Sequence, residues 1–147
     1  MKTILVDAVE AFVIEQNGSY GVFEDMYKLL ESFPNRKILL TGATRSEGFK
    51  KYNLDTMPYE VFTLEHNPEK SDPAYYKNLL THFNLTKDDV VYFEHNPEAA
   101  KSAQSVGIDT YYYDQEKHDL AALGAFLMTH VPEGRSGAVG ELQDFAK

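Results

Sequence analysis

Four side chains are spaced along the chain so that they could act together on a phosphoryl group: Asp7, Thr41, Lys70 and Glu94. A carboxylate can attack phosphorus or ligate a cation. A threonine hydroxyl can hydrogen-bond a phosphoryl oxygen, and a lysine ammonium neutralises the charge that moves during transfer. Glu94, with His95 beside it, could hold a cation. Carboxylate, hydroxyl, lysine and carboxylate, in that order, make a phosphoryl-transfer set.

Such residues need a frame, and the apolar pattern supplies one. Short apolar runs at residues 2–7, 37–41, 59–63, 90–94 and 110–113 read as strands of a parallel sheet buried on both faces. Asp7, Thr41 and Glu94 end three of them. Helical spacing lies between: Phe23, Met26, Tyr27, Leu29 and Leu30 form one stripe, and Tyr75, Leu79, Leu80 and Phe83 another. Ser71 or Asp72 caps the second stripe ahead of Pro73, and Asn96-Pro97 opens a further helix that stops at Gly107. A last helix is expected over 116–129. Alternating strands and helices predict an α/β sandwich of three layers, with ligands beyond the carboxyl ends of the strands. The three strand-end residues would then share one rim.

One stretch departs from the alternation. Residues 10–21 carry Ala11, Phe12, Val13 and Ile14, followed by Asn17-Gly18, the signal of a type I′ hairpin. A small flap is expected after the first strand. The core is expected to span 1–130 as one domain, and the glycine-containing tail 131–147 to be mobile.

Composition narrows the field further. The net charge of −9 opposes binding to nucleic acid or to an anionic lipid surface. The absence of cysteine excludes disulfides, thiolate zinc sites and thiol nucleophiles. No apolar run approaches the ~18 residues of a membrane span. The expectation is a cytoplasmic protein of one domain.

The stretches ILVDAVEAFV, ILLTGATR, EKSDPAYY and VVYFEHNPEAAKSAQSVGI resemble, in order, the four motifs of the haloacid dehalogenase (HAD) superfamily. The resemblance implies a Rossmannoid core with a central five-stranded parallel sheet and a flap after its first strand. It also implies a hydrolase, of phosphatase type, that forms an aspartyl-phosphate. Carried over, Asp7 matches the nucleophile, Thr41 with Gly42 the second motif, Lys70 the third-motif lysine and Glu94 the first acid of the fourth. Thr41, Gly42 and Lys70 would bind the phosphoryl group. Asp7, the Val9 carbonyl, Glu94 and His95 would surround the cation.

Two positions depart from that pattern. Val9 stands where phosphatases of the family carry their acid/base aspartate, and valine has no proton to give. Glu10 is its neighbour and the candidate substitute, at a place where the family usually has glycine. His95 stands where a magnesium-binding aspartate is usual. Magnesium prefers hard oxygen ligands, so imidazole weakens that site and suits another divalent metal better, or none. The interval from Asp7 to Thr41 is also too short for the helical cap of the family's common subgroup, so the site is expected to be capless. An open site suits a small phosphorylated molecule, a phosphorylated macromolecule, or a partner protein or second copy acting as lid. A catalytically inactive binding protein is the alternative, and metal-independent dehalogenation a weaker one.

Overall fold

The computed structural model describes residues 1–132. Five strands form one parallel sheet: β1 (Thr3–Asp7), β4 (Lys37–Thr41), β5 (Glu60–Thr63), β6 (Val90–Glu94) and β7 (Asp109–Tyr112). Their spatial order is β5-β4-β1-β6-β7. β1 is therefore central, and every residue of β1, β4 and β6 is buried. Burial on both faces is why these strands read as unbroken apolar runs rather than alternating ones.

Helices cover both faces. α1 (Glu24–Glu31) and α5 (Leu120–His130) contribute Met26, Leu30, Leu123 and Leu127 to a cluster with Ile4, Val6, Leu39 and Phe93. On the other face, α3 (Pro73–His82) and α4 (Pro97–Ser105) bring Tyr75, Tyr76, Leu79 and Ala103 against Leu5, Ile38, Leu40 and Tyr92. The expected caps form: the Asp72 carboxylate accepts from the Ala74 N–H at 2.9 Å, and Asn96 Oδ1 accepts from Glu98 and Ala99. Gly107 ends α4 region with a φ of +98°, which only glycine adopts cheaply.

The hairpin is present as β2 (Val13–Gln16) and β3 (Ser19–Val22), joined through Asn17 and Gly18 at φ 55° and 90°. Both values are positive, as a type I′ turn demands. A short helix unforeseen in the sequence, α2 (Gly48–Lys51), and a 3-10 turn at Leu54–Thr56 lie between β4 and β5. α2 sits so close to the chain after β4 that a Cβ on Gly48 would come within 2.6 Å of the Ala43 Cβ.

Two boundaries shift. The last helix starts at Leu120 rather than near 116, because the Asp119 side chain caps it by accepting from the Ala122 N–H at 3.0 Å, and residues 115–118 form a turn. Val131 is buried and its N–H bonds Leu127 O at 2.9 Å, so the ordered core extends past 130. The rest of the mobile-tail expectation lies outside the described residues from 133 onward. Among the described residues, no helix is long and apolar enough to cross a membrane.

Candidate active site

Parallel register pairs Leu5 with Tyr92 and Val6 with Phe93. One residue further along, Asp7 and Glu94 end neighbouring strands side by side. Side chains alternate along a strand, so both carboxylates lie on the face that carries Leu5 and Tyr92. Each is 1% exposed. Burying two carboxylates this close is costly unless donors surround them.

The donors are present. Lys70, from the loop between β5 and α3, places its Nζ 3.0 Å from Asp7 Oδ1 and 2.6 Å from Glu94 Oε1. The same ammonium donates to Leu40 O at 3.3 Å. The His95 backbone N–H donates to Asp7 Oδ2 at 3.0 Å, and its ring Nδ1 bonds the same oxygen. Nδ1 is also 3.4 Å from Glu94 Oε2, which accepts the Asn96 N–H at 3.0 Å. The Tyr92 hydroxyl donates to Glu94 Oε1.

The electrostatics follow from these contacts. Burial alone would raise the Glu94 pKa, but Lys70 and the hydrogen bonds from His95, Lys70 and Tyr92 outweigh it and hold the carboxyl below its ordinary range. Asp7 moves the other way: burial and the neighbouring Glu94 charge raise it, against the pull of Lys70 and His95. Burial would strip Lys70 of its proton, yet the two carboxylates keep its pKa well above the ordinary value. His95 is likewise pressed down by burial and pushed up further by Asp7 and Glu94, to about 10. The imidazolium Nδ1–H is the donor in its bond to Asp7.

A cleft of about 700 Å³ opens over this cluster. Asp7, Val9, Glu10, Thr41, Gly42, Lys70, Glu94 and His95 all line it, so the structure brings together every site residue expected from the sequence. Their local settings differ. Thr41 Oγ1 accepts the Ala43 N–H at 3.0 Å, which is turn chemistry at the strand end, while Tyr75 supports the Thr41 carbonyl at 2.8 Å. Glu10 adopts a left-handed φ of 73°, and its carboxylate accepts the Tyr20 hydroxyl of the flap. The strained backbone accounts for why glycine suits this position. Val9 packs its aliphatic side chain against the first core cluster.

The cleft also has walls that the sequence did not announce. Lys51 and Tyr52, at the end of α2, line it together with His66 and Glu69. His66 pairs with Glu69 at 2.9 Å beside the cleft. Tyr92 was hidden inside an apolar run. Its separation from Glu94 by two positions, the strand period, is the signal that places both on one face.

The resemblance implies a divalent cation among Asp7, Val9, Glu94 and His95. Ligand atoms of Asp7, Glu94 and His95 do lie within 4.8 Å of one another. Each of the four carboxylate oxygens, however, already accepts a protein donor, and the third ligand is an imidazole engaged with Asp7. Magnesium demands near-ideal octahedral oxygen ligation and dehydrates reluctantly. The residues as arranged do not fit it.

The sheet order, the flap after the central strand and the cleft at the strand ends make an α/β fold of the HAD-like kind. Solved structures bear this out. A HAD family enzyme from Bacteroides thetaiotaomicron, solved as an aspartate-to-alanine mutant with magnesium and inorganic phosphate, is similar over 78% of this chain and 95% of its own, with a TM-score of 0.52 and 11% identity. An uncharacterized protein from Corynebacterium glutamicum is similar over 87% of this chain and 96% of its own, with a TM-score of 0.55 and 13% identity. No family model and no curated protein matches the sequence.

Proposed function

We propose that this chain is a slow phosphohydrolase that accepts the phosphoryl group on Asp7. The observation that carries the reading is the position of Asp7: a buried carboxylate at the floor of the cleft, at the end of the central strand, with the Lys70 ammonium 3.0 Å away. The Asp7 carboxylate would attack phosphorus as the bond to the leaving oxygen breaks. Water would then hydrolyse the acyl phosphate to restore Asp7 and release inorganic phosphate. Lys70 and the His95 imidazolium stand where they balance the added negative charge. A HAD family enzyme of the same fold holds inorganic phosphate, which supports the substrate class.

The rate is held down by what stands beside Asp7. Val9 cannot protonate the leaving oxygen, and the Glu10 carboxylate is engaged by Tyr20. A cleft of about 700 Å³ suits a small phosphorylated molecule, and the phosphorylated side chain of a macromolecule enters the same space. Hydrolysis of p-nitrophenyl phosphate and a panel of small phosphate esters, compared between the wild-type protein and Asp7→Asn, tests the reading. Slow turnover that disappears in Asp7→Asn is expected; equal rates for the two proteins overturn it. The engagement of both Asp7 oxygens by Lys70 and His95 favours a second reading, a HAD-fold protein that binds a phosphorylated ligand without turning it over. Calorimetric binding of inorganic phosphate with no turnover of any ester would select it.

A further inference from the structure

We propose that His95 occupies the cation's place in this fold, so that the Asp7–Glu94 pair is hydrogen-bonded by His95 and Lys70 and takes no divalent metal ion. The inference rests on the hydrogen bonds of the pair and does not depend on whether Asp7 turns over a substrate.

An ion meets protein donors at every oxygen of the pair. Asp7 Oδ2 takes two donors from one residue, the backbone N–H of His95 at 3.0 Å and its ring Nδ1. The backbone donor is fixed by the strand end of β6 and the cap of α4, so rotating the ring away frees only part of that oxygen. Asp7 Oδ1 and Glu94 Oε1 are bridged by a single ammonium, that of Lys70. Glu94 Oε1 also takes the buried Tyr92 hydroxyl, and Glu94 Oε2 takes the first N–H before α4. A metal ion would have to compete with these donors at both carboxylates and enter beside the Lys70 ammonium. Removing those donors would strand buried groups, including the Tyr92 hydroxyl, without partners.

The substitution that carries the exclusion is identifiable. An aspartate at 95 would remove the ring that bonds Asp7, supply a third hard oxygen ligand and add negative charge to the cluster. His95→Asp is therefore expected to create a magnesium site where the natural residue excludes one.

The full chain, stripped with EDTA, is titrated calorimetrically with MgCl2, MnCl2 and ZnCl2, and its thermal midpoint is followed in parallel. The wild-type protein is expected to show no saturable binding at millimolar metal and no rise in midpoint. His95→Asp is expected to bind Mg2+ at least about tenfold more tightly, with a midpoint that rises with metal. Because His95→Asp itself perturbs folding, the wild-type ring is observed directly as well. In 15N-edited spectra the His95 Nδ1 signal should stay that of a protonated, hydrogen-bonded nitrogen, unchanged by EDTA or by any of the three metals. Saturable binding by the wild-type protein that vanishes in Asp7→Asn overturns the proposal, as does displacement of the Nδ1 proton by zinc. A folded His95→Asp that gains no affinity overturns the role given to His95.

Discussion

Lys70 stands closer to Glu94 than to Asp7: its Nζ lies 2.6 Å from Glu94 Oε1 and 3.0 Å from Asp7 Oδ1. One ammonium, with 15% of its side chain exposed, therefore serves two carboxylates that are each 1% exposed. Lys70 thereby holds the acidic pair together as well as facing the cleft.

Replacing Lys70 by methionine keeps the length of the side chain and removes its charge. Two buried carboxylates are then left with His95 as their remaining cation, and breaking a buried pair by removing one partner costs about 3–5 kcal/mol. Urea unfolding of Lys70→Met should show a loss of that order. Adding Glu94→Gln to Lys70→Met should recover part of it, because one stranded charge is removed; additive losses would contradict the coupling. The exposed Arg36–Glu60 pair, at 2.9 Å with both side chains about half exposed, is the control, and breaking it should cost under about 1 kcal/mol.

The His95 ring gives the cluster a direction in pH. Burial presses its pKa down, but Asp7 and Glu94 raise it to about 10, from about 6.5 in an unfolded chain. The folded value exceeds the unfolded one, so this stabilisation is complete below about pH 6.5 and is lost as pH rises through about 10. Glu94 has the opposite sign: its folded pKa is lowered, so its contribution is present above about pH 4.5 and disappears on acidification. The groups facing the ring are Asp7 from β1 and Glu94 from β6, with Lys70 across the pair. Urea midpoints should fall between about pH 6.5 and 9 in the wild-type protein, and His95→Gln should flatten that slope. A slope unchanged by His95→Gln would show that the ring is not the titrating group.

Sequence pattern carried far where a residue ended a run. Asp7, Thr41 and Glu94 close strands buried on both faces, so a single polar residue after three or four apolar ones is visible at once, and the parallel alternation then places all three at one rim. The caps of α3 and α4 were equally legible, because Asp72-Pro73 and Asn96-Pro97 combine a side-chain acceptor with a residue that lacks an N–H. α2 was not legible. Four residues are too few to show helical period, and what fixes it is tertiary: Phe49 is buried and Gly48 lies against Ala43. With α2 went Lys51 and Tyr52, the far wall of the cleft. The occupation of the carboxylates by His95 was out of reach for another reason, since it depends on a ring orientation and on no spacing along the chain.

The flap is fastened to that far wall by contacts with a measurable loss. The Tyr20 and Tyr52 rings meet edge to face with centroids 4.8 Å apart, Asn53 Nδ2 donates to Tyr20 O at 2.6 Å, and the Tyr20 hydroxyl reaches Glu10. Aromatic pairs contribute about 0.5–1.5 kcal/mol beyond their buried area. Tyr52→Ala should therefore cost about 1 kcal/mol or slightly more in global stability. Its sharper effect should be local: amide exchange across β2 and β3 should quicken while β1 and β6 stay protected. Unchanged exchange in the hairpin would mean that the flap is held by its own strands alone.

The last prediction joins the two departures from the family pattern. Val9 lines the cleft and carries no proton, and His95 covers Asp7 Oδ2. Val9→Asp alone supplies an acid/base group beside Asp7 but leaves that oxygen engaged. His95→Asp alone admits a cation but leaves the departing oxygen without a proton. The pair Val9→Asp and His95→Asp should restore both, and general acid/base catalysis is worth about 10²–10⁴-fold. Hydrolysis of p-nitrophenyl phosphate by the double variant should exceed that of the wild-type protein by at least about a hundredfold, and should depend on added Mg2+. Each single variant should fall well short of the double. Val9 is half-buried against the apolar core, so the new carboxylate costs some stability, and the assay is run where circular dichroism shows the variant folded. A double variant that is folded, binds magnesium and is no faster than the wild-type protein would place the missing catalytic element elsewhere in the cleft, with the Lys51–Tyr52 wall the next place to look.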